Sequence, residues 1–210
     1  MMQISDLWRA TDPKAWDDAL ERYWKFVKPA NEKLERSLDA LDLERLRCFD
    51  AQGWYDFLKN EYFRWKYTAS NRYATTTDRL KHYVDVGTLG DLDQIRNRLL
   101  SLNRDDTRSA LETAQKIYGL GTAGASGLLA LMYPRNFGTV DQFVVKALRQ
   151  VNGLPEAAAI ARMNPESLTI SDGVLLIDIL RRKAVENNRV LKSDAWTPRK
   201  VEKVLWTYGR

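Results

Sequence analysis

The chain of 210 residues has only one cysteine, Cys48, and one histidine, His82. A single cysteine excludes an intramolecular disulfide framework and a cysteine-ligated zinc or iron–sulfur site built by this chain alone. A single histidine excludes the usual two-histidine zinc sites and leaves little basis for Ser-His-Asp catalysis. The scarcity of thiols favours a protein of the reducing cytoplasm, without a metal centre.

Long apolar runs are also missing. The longest ones, such as residues 128–132, are far shorter than the roughly 20 residues that span a bilayer. The first residues do not combine a basic start, an apolar stretch and a small-residue cleavage site, so no secretion signal is predicted. Hydrophobic residues make up 44% of the chain and charged residues 29%, as is typical of globular proteins. We therefore expect a folded protein that has no contact with membranes.

The positive charge is concentrated near the end of the chain. The net charge is +5, and residues 181–210, with nine basic and three acidic residues, contribute +6, which leaves −1 for the rest. A helix predicted from Pro198 onward presents Arg199, Lys200 and Lys203 to DNA or to solvent. Such a segment suits binding to a polyanion, because neutralised phosphates release condensed counterions. The alternative is a solvated helix face that serves solubility alone.

The spacing of apolar residues predicts helices throughout, with almost no two-residue alternation of the kind that marks strands. Asp12-Pro13 and Asp50 predict helix starts, the second for a helix that runs to about Tyr67. The predicted fold class is therefore all-α. We expect an N-terminal helical lobe over residues 1–85 and a second lobe over 86–210, packed against each other.

The residues from 116 to 151 carry the clearest motif. Gly119-Leu120-Gly121 predicts a tight turn between two helices, with Leu120 filling the gap between them and Thr122 opening a helix that runs to Met132. The backbone amides of Gly121, Thr122 and Ala123 then point outward at a helix N-terminus. Such a terminus binds anions, and a DNA phosphate is the natural ligand.

This turn, together with Ala125 and the later Val140-Asp141 step, resembles the hairpin region of the helix-hairpin-helix DNA glycosylase superfamily. Asp141 lies 20 residues after Gly121, which is the superfamily's spacing between the second hairpin glycine and the catalytic aspartate. The resemblance covers residues 105–150. It implies a two-lobed glycosylase-like fold, a monomer that acts on double-stranded DNA, and excision of a damaged or modified base, with Asp141 as the catalytic residue.

Three departures from the superfamily pattern refine what the resemblance implies. Tyr118 stands where a proline usually precedes the first glycine, which the turn tolerates because it needs the glycines. Ala123 stands where the lyase-competent members carry a lysine that forms a Schiff base, so a monofunctional enzyme that uses water is implied. The four-cysteine cluster of some members is absent. No cofactor is implied, apart from a monovalent cation that superfamily hairpins often hold through backbone carbonyls.

Two interpretations of Asp141 follow from its residue type and position. A carboxylate beside the sugar stabilises the oxocarbenium-like transition state of N-glycosidic cleavage and orients the attacking water. Aspartate is also among the best helix N-caps, and a purely structural cap is the alternative. The two roles are compatible.

An extruded base also needs an aromatic pocket. The segment 61–83 mixes aromatic and basic residues, as base stacking with nearby phosphate contacts requires. Its candidates for a base pocket or DNA contact are Trp65, Lys66, Tyr67, Arg72 and Tyr73. The alternative is that these aromatics pack in the core while the cations face water.

Three functions from different classes remain at this stage. The leading hypothesis is a monofunctional DNA glycosylase in base excision, acting either in repair or in defence against modified DNA, with the excised base unspecified. The second is a non-catalytic helix-hairpin-helix protein that binds duplex DNA. The third is a helical interaction protein with no nucleic-acid role, whose partner surface would use Trp8, Trp16 and Trp24.

Overall fold

A computed structural model describes residues 2–210, and within them every regular element is a helix. The chain therefore has the predicted all-α class. The helices are α1 (Ile4–Arg9), α2 (Pro13–Phe26), α3 (Pro29–Asp39), α4 (Leu43–Arg47), α5 (Ala51–Phe57), a π-helical segment (Leu58–Tyr62), α6 (Phe63–Lys66), α7 (Ser70–Asp85), α8 (Leu89–Leu100), α9 (Thr107–Gln115), α10 (Thr122–Met132), α11 (Gln142–Leu148), α12 (Ala157–Arg162), α13 (Ile170–Val190) and α14 (Pro198–Gly209).

The helix starts follow local capping chemistry. The side chain of Asp50 accepts the Gly53 amide at 2.7 Å, which fixes the start of α5 where the sequence predicted it. Asp106 accepts the Ser109 amide at 3.0 Å and starts α9 in the same way. Such bonds satisfy amides that have no partner within the helix, so these starts are encoded within a few residues.

Helix α10 lies at the centre of the fold, and almost all of its residues are buried. Two glycines let other helices approach it closely. A Cβ atom added at Gly124 would lie 2.6 Å from Tyr67 Oη, and one added at Gly127 would lie 2.8 Å from Tyr62 Oη. The Tyr62 hydroxyl donates a hydrogen bond to the carbonyl of Gly124. The π-helical turn that carries Tyr62 is thereby fixed against α10; such turns are frequent at functional sites.

This close approach predicts that Gly127→Ala lowers the free energy of unfolding by about 1–3 kcal/mol, because the fully buried Tyr62 has no room to move. Gly90 is the matched control, since it lies in the exposed first turn of α8 with nothing within 4 Å of an added Cβ. Gly90→Ala should raise stability by about 0.5 kcal/mol through helix propensity alone. Urea denaturation measures both. Equal effects of the two substitutions would contradict the packing explanation.

The buried hydrophobic residues form one cluster that takes members from both sides of the predicted boundary at residue 85. The C-terminal helix α14 contributes to this continuity, because it contacts α2 as well as α11 and α13. The two predicted lobes are therefore not separated by a gap in the core. The three N-terminal tryptophans differ in burial: Trp16 is fully buried, whereas Trp8 and Trp24 are half-buried.

One prediction about the basic C-terminal segment is wrong. Arg199 and Lys203 do not face DNA or solvent, since both side chains are buried. They pair with Glu35 and Asp39, which α3 presents to this face of α14. Lys183 is buried as well, and its ammonium donates to the carbonyl of Trp8. Buried cations need partners, so these three serve packing, and the exposed positive charge of the segment is smaller than its composition indicates.

Candidate active site

Asp141 is held in a defined position at the start of α11. Its Oδ1 atom accepts the backbone amides of Phe143 at 2.9 Å and Val144 at 3.3 Å, so it is the N-cap that the sequence allowed. The preceding Val140 amide donates to Ser126 Oγ of α10 at 2.9 Å. The other carboxylate oxygen, Oδ2, lies 3.7 Å from Lys66 Nζ. Oδ1 therefore caps the helix, whereas Oδ2 makes no capping bond and can contact a ligand or a water molecule.

Asp141 lies on the wall of a cleft of about 220 Å³. The cleft is formed by side chains that are distant in sequence, from α2, α3, α6, α11, the loop before α11, and α14, together with residues that flank these helices. Its aromatic lining residues are Tyr23, Phe26, Trp65, Phe143 and Trp206, and its charged ones are Lys28, Glu35, Lys66, Asp141, Arg199, Glu202 and Arg210. An apolar wall with a few convergent polar groups is typical of a small-molecule or base-binding site.

Trp65 is the best-fixed aromatic side chain of this cleft. Its indole Nε1 donates to Glu35 Oε2, and the Arg199 guanidinium lies 5.0 Å from the ring centroid. The ring of Tyr62 packs against it with a centroid separation of 5.8 Å. Because these contacts hold its plane, Trp65 can stack on a flat ligand without losing much conformational entropy on binding.

A buried network of charges forms one end of the cleft. Arg199 lies 3.0 Å from Glu35 Oε1 and 3.3 Å from Asp39 Oδ1, and it also pairs with Glu202. The Tyr23 hydroxyl donates to Glu35 Oε1 at 2.6 Å, and burial raises the pKa of Tyr23 well above its ordinary value. Arg199 Nε has no hydrogen-bond partner within residues 2–210, although it is buried.

The network shifts two further pKa values. Burial raises the pKa of Glu202; Arg199 opposes this shift and Asp141 adds to it. Burial also lowers the pKa of Lys203, with Arg199 contributing in the same direction. Both shifts have the sign that desolvation gives a charged group.

The raised pKa of Glu202 predicts a pH-dependent contribution to stability. Unfolded Glu202 loses its proton near the ordinary pKa of 4.5, whereas the folded protein keeps it to higher pH. The contribution is therefore complete below pH 4.5 and is lost as the pH rises through the folded pKa. Urea denaturation of wild type and Glu202→Gln from pH 4 to 8 tests this expectation. The stability of wild type relative to the variant should fall across this range, and a constant difference would contradict the assigned shift.

The predicted hairpin connects α9 to α10 through residues 116–121. Gly119 has φ +93°, a conformation that favours glycine, and Leu120 is buried between the helices as predicted. The Tyr67 hydroxyl donates to the Gly119 carbonyl at 3.1 Å. Thr122 is buried and its Oγ1 donates to the Leu168 carbonyl at 2.7 Å, while Gly121 is exposed. Of the residues proposed to bind the DNA backbone, Gly121 is thus exposed, Gly119 and Ala123 are half-buried, and Thr122 is buried.

Positive charge lies near this turn. Burial raises the pKa of Tyr67 to about 12, and the charges of Arg72 and Arg79 act against that rise. Both arginines are exposed on α7, and Lys116 is exposed where α9 ends. The surface around the hairpin therefore has cations available to a phosphate backbone.

The five candidates from the aromatic segment separate into three groups. Trp65 and Lys66 line the cleft beside Asp141. Tyr67 contacts the hairpin, and Arg72 is exposed near it. Tyr73 is half-buried and donates to the Lys59 carbonyl at 3.2 Å, away from the cleft lining. The helical break after Lys66 separates the first pair from the other residues.

Sequence reasoning missed most of the cleft. Glu35, Phe143, Glu202 and Trp206 were not proposed, and Arg199 was placed in solvent. The one available signal was spacing: Glu35 and Asp39 are four residues apart, as are Arg199 and Lys203, so each pair shares a helix face.

No protein-family model, curated protein or solved structure matches the chain, so the glycosylase resemblance depends on the residues of this chain alone. None of the helices within residues 2–210 is both long and apolar enough to cross a membrane. In the same part of the chain, no group of three or more histidine, cysteine, aspartate or glutamate residues is arranged to hold a metal ion.

Proposed function

We propose that the protein is a DNA glycosylase that hydrolyses the N-glycosidic bond of a damaged or modified base in double-stranded DNA. The observation that carries this proposal is the position of Asp141, which lines an aromatic cleft and has one carboxylate oxygen, Oδ2, that does not cap the helix. Cleavage of this bond develops positive charge on the sugar. A fixed carboxylate beside the sugar stabilises that charge without having to reorganise.

The size and lining of the cleft support a base as the ligand. A base must leave the duplex stack before it can be excised, and it is then held by stacking and by hydrogen bonds to its edge. Trp65 offers a fixed stacking surface, and the buried Arg199–Glu202 pair offers donors and acceptors at the same site. Stacking on an aromatic side chain contributes about 1–3 kcal/mol per base.

The turn at Gly119-Leu120-Gly121 supplies the proposed grip on the DNA backbone. The exposed N-terminus of α10 favours a phosphate, and Arg72, Arg79 and Lys116 add positive charge nearby. Ser126 connects this helix to the catalytic loop, because its Oγ accepts the Val140 amide. Movement of the DNA-binding turn relative to Asp141 is thereby restricted, as positioning of the reacting sugar requires.

Two further features of the proposal follow from residue identity. Ala123 cannot act as a nucleophile, so water attacks the sugar and the product is an intact abasic strand. The reaction needs no cofactor, and a monovalent cation held by the hairpin carbonyls remains a prediction by resemblance. We propose that the protein acts as a monomer on duplex DNA.

The test uses duplexes that each carry one oxidised, alkylated, mismatched or otherwise modified base. Purified protein is incubated with each duplex, and strand cleavage is measured with and without hot alkali. Cleavage that requires alkali identifies a monofunctional glycosylase and names its substrate. Cleavage without alkali contradicts monofunctionality. Salt-sensitive duplex binding without release of any base supports the non-catalytic DNA-binding module instead.

A further inference from the structure

We propose that Lys66 is a second catalytic residue, whose ammonium gives a proton to the departing base while Asp141 serves the sugar and the water. The substrate is then a base that carries no charge within DNA, such as an oxidised purine or a modified pyrimidine. Such a base would leave the sugar as an anion if it received no proton. This inference rests on the proposed glycosylase function and extends it to the chemical class of the substrate.

The first support is the unusual situation of the Lys66 side chain. It is only 11% exposed, and it lines the cleft next to Trp65. Lys183 and Lys203 are more deeply buried, but each donates to a close partner, whereas the Lys66 ammonium is largely buried without donating a hydrogen bond. The Cδ atom of Lys66 lies 3.5 Å from the position of a Cβ on Gly127, so the aliphatic part of the side chain passes beside α10. Its Nζ atom then approaches Asp141.

The second support is the length of the contact with Asp141. A distance of 3.7 Å between Lys66 Nζ and Asp141 Oδ2 allows electrostatic attraction but is longer than a hydrogen bond. Most exposed ion pairs within residues 2–210 are shorter, as between Arg36 and Glu32 at 2.7 Å, although Arg108 and Glu112 are 3.8 Å apart. In this part of the chain the other polar neighbour of Lys66 Nζ is the Trp65 ring, whose centroid lies 5.9 Å away, and Nζ donates no hydrogen bond, so its three donors remain available to a ligand in the cleft.

The third support is the charge around the pair. Glu202 interacts with both groups, since Asp141 raises its pKa and Lys66 lowers it. Arg199 lies at the same end of the cleft. Because Glu35, Asp39 and Glu202 already balance Arg199, the cation that acts on the base is Lys66: it opposes a base with a fixed positive charge and stabilises one that becomes negative as it leaves.

The proposed reaction is balanced by three proton transfers. The C1′–N bond breaks and its electron pair goes to the base, which takes a proton from Lys66 Nζ. Water adds to C1′ and gives a proton to Asp141. That proton then passes from Asp141 to the neutral amine of Lys66 once the two groups close from 3.7 Å to hydrogen-bond distance, which restores the starting state. An alkylated purine with a positive ring leaves as a neutral molecule and needs no such acid.

The test compares Lys66→Met with Lys14→Met, a substitution of an exposed lysine on α2 outside the cleft. Single-turnover excision is measured on an uncharged base identified from the duplex panel and on a duplex with 7-methylguanine. Binding is measured to a duplex with a cationic pyrrolidine abasic nucleotide and to one with the neutral tetrahydrofuran analogue. The pyrrolidine imitates the positive charge that develops on the sugar, so its binding does not depend on which base is excised.

Lys66→Met should slow excision of the uncharged base by about 10²-fold, the usual contribution of a general acid. It should tighten binding to the pyrrolidine duplex severalfold, because a like charge is removed, while tetrahydrofuran binding weakens slightly through the loss of a cation near the phosphates and the Lys14→Met values stay unchanged. If Lys66 had only a structural role, Lys66→Met would damage the site. Pyrrolidine binding would then weaken together with excision instead of becoming tighter.

Four results would overturn the proposal: unchanged excision by Lys66→Met, weaker pyrrolidine binding by it, excision restricted to the cationic base, and covalent trapping through Lys66 by borohydride. The last would make Lys66 a nucleophile. Failure of the glycosylase function itself looks different, because then wild type releases no base and binds the pyrrolidine and tetrahydrofuran duplexes equally.

Discussion

Asp141→Asn should slow base excision by about 10³-fold or more, while binding to an undamaged duplex stays the same or becomes slightly tighter. Asparagine caps helices as well as aspartate does, so the bonds to the Phe143 and Val144 amides can persist and α11 can start at the same residue. What the substitution removes is the negative charge beside the sugar. Loss of a negative charge close to DNA also weakens repulsion of the phosphates, which accounts for the expected sign of the binding change.

Asp106→Asn is the matched control for this experiment. Asp106 caps α9 in the same way, through the Ser109 amide, but it is exposed and does not line the cleft. Single-turnover excision, fluorescence anisotropy with duplex DNA and thermal denaturation are measured for both variants. If Asp141 is only a cap, the two substitutions behave alike and excision survives. That result would remove the basis of the glycosylase assignment.

Local signals in the sequence predict the segments around Asp141 well. Helix α10 begins at Thr122 and ends at Met132 as expected, because the glycines before it and the apolar run within it are contained in one stretch of chain. The cap at Asp141 and the start of the helix after it are also encoded by neighbouring residues. The helix ends at Leu148, although the apolar pattern continues to Val151. The last turn of a helix often frays, so an apolar pattern fixes a helix end less well than a side-chain cap fixes a start.

The walls of the cleft could not be predicted in this way. Glu35 and Arg199 are separated by 164 positions, and only the packing of α14 against the N-terminal helices brings them together. By composition, Arg199 and Lys203 belong to a basic C-terminal segment. The composition does not show which acidic residues will face them in the folded protein. Trp65 and Lys66 were identified from residue type, but their separation from Tyr73 results from the helical break that precedes α7.

Arg199→Met should lower the free energy of unfolding by about 3–5 kcal/mol, since removal of one member of a buried ion network leaves the others uncompensated. Methionine replaces the aliphatic part of the side chain, so the change removes the guanidinium with its charge and its hydrogen bonds. Glu35 and Glu202 lose their buried cation, and Trp65 loses the guanidinium against its ring. Arg189→Met, at an exposed position of α13, should stay within about 0.5 kcal/mol of wild type. Urea denaturation followed by tryptophan fluorescence measures both variants.

A second set of variants separates lost charge balance from lost packing. If uncompensated carboxylates cause the instability, adding Glu35→Gln and Glu202→Gln to Arg199→Met should recover a substantial part of the loss, because neutral amides need no buried cation. If the guanidinium acts mainly by filling space, the triple variant stays as unstable as the single one. The same triple variant leaves Asp141 and Lys66 in place. It therefore also tests whether the buried network is required for excision or only holds the helices that form the cleft.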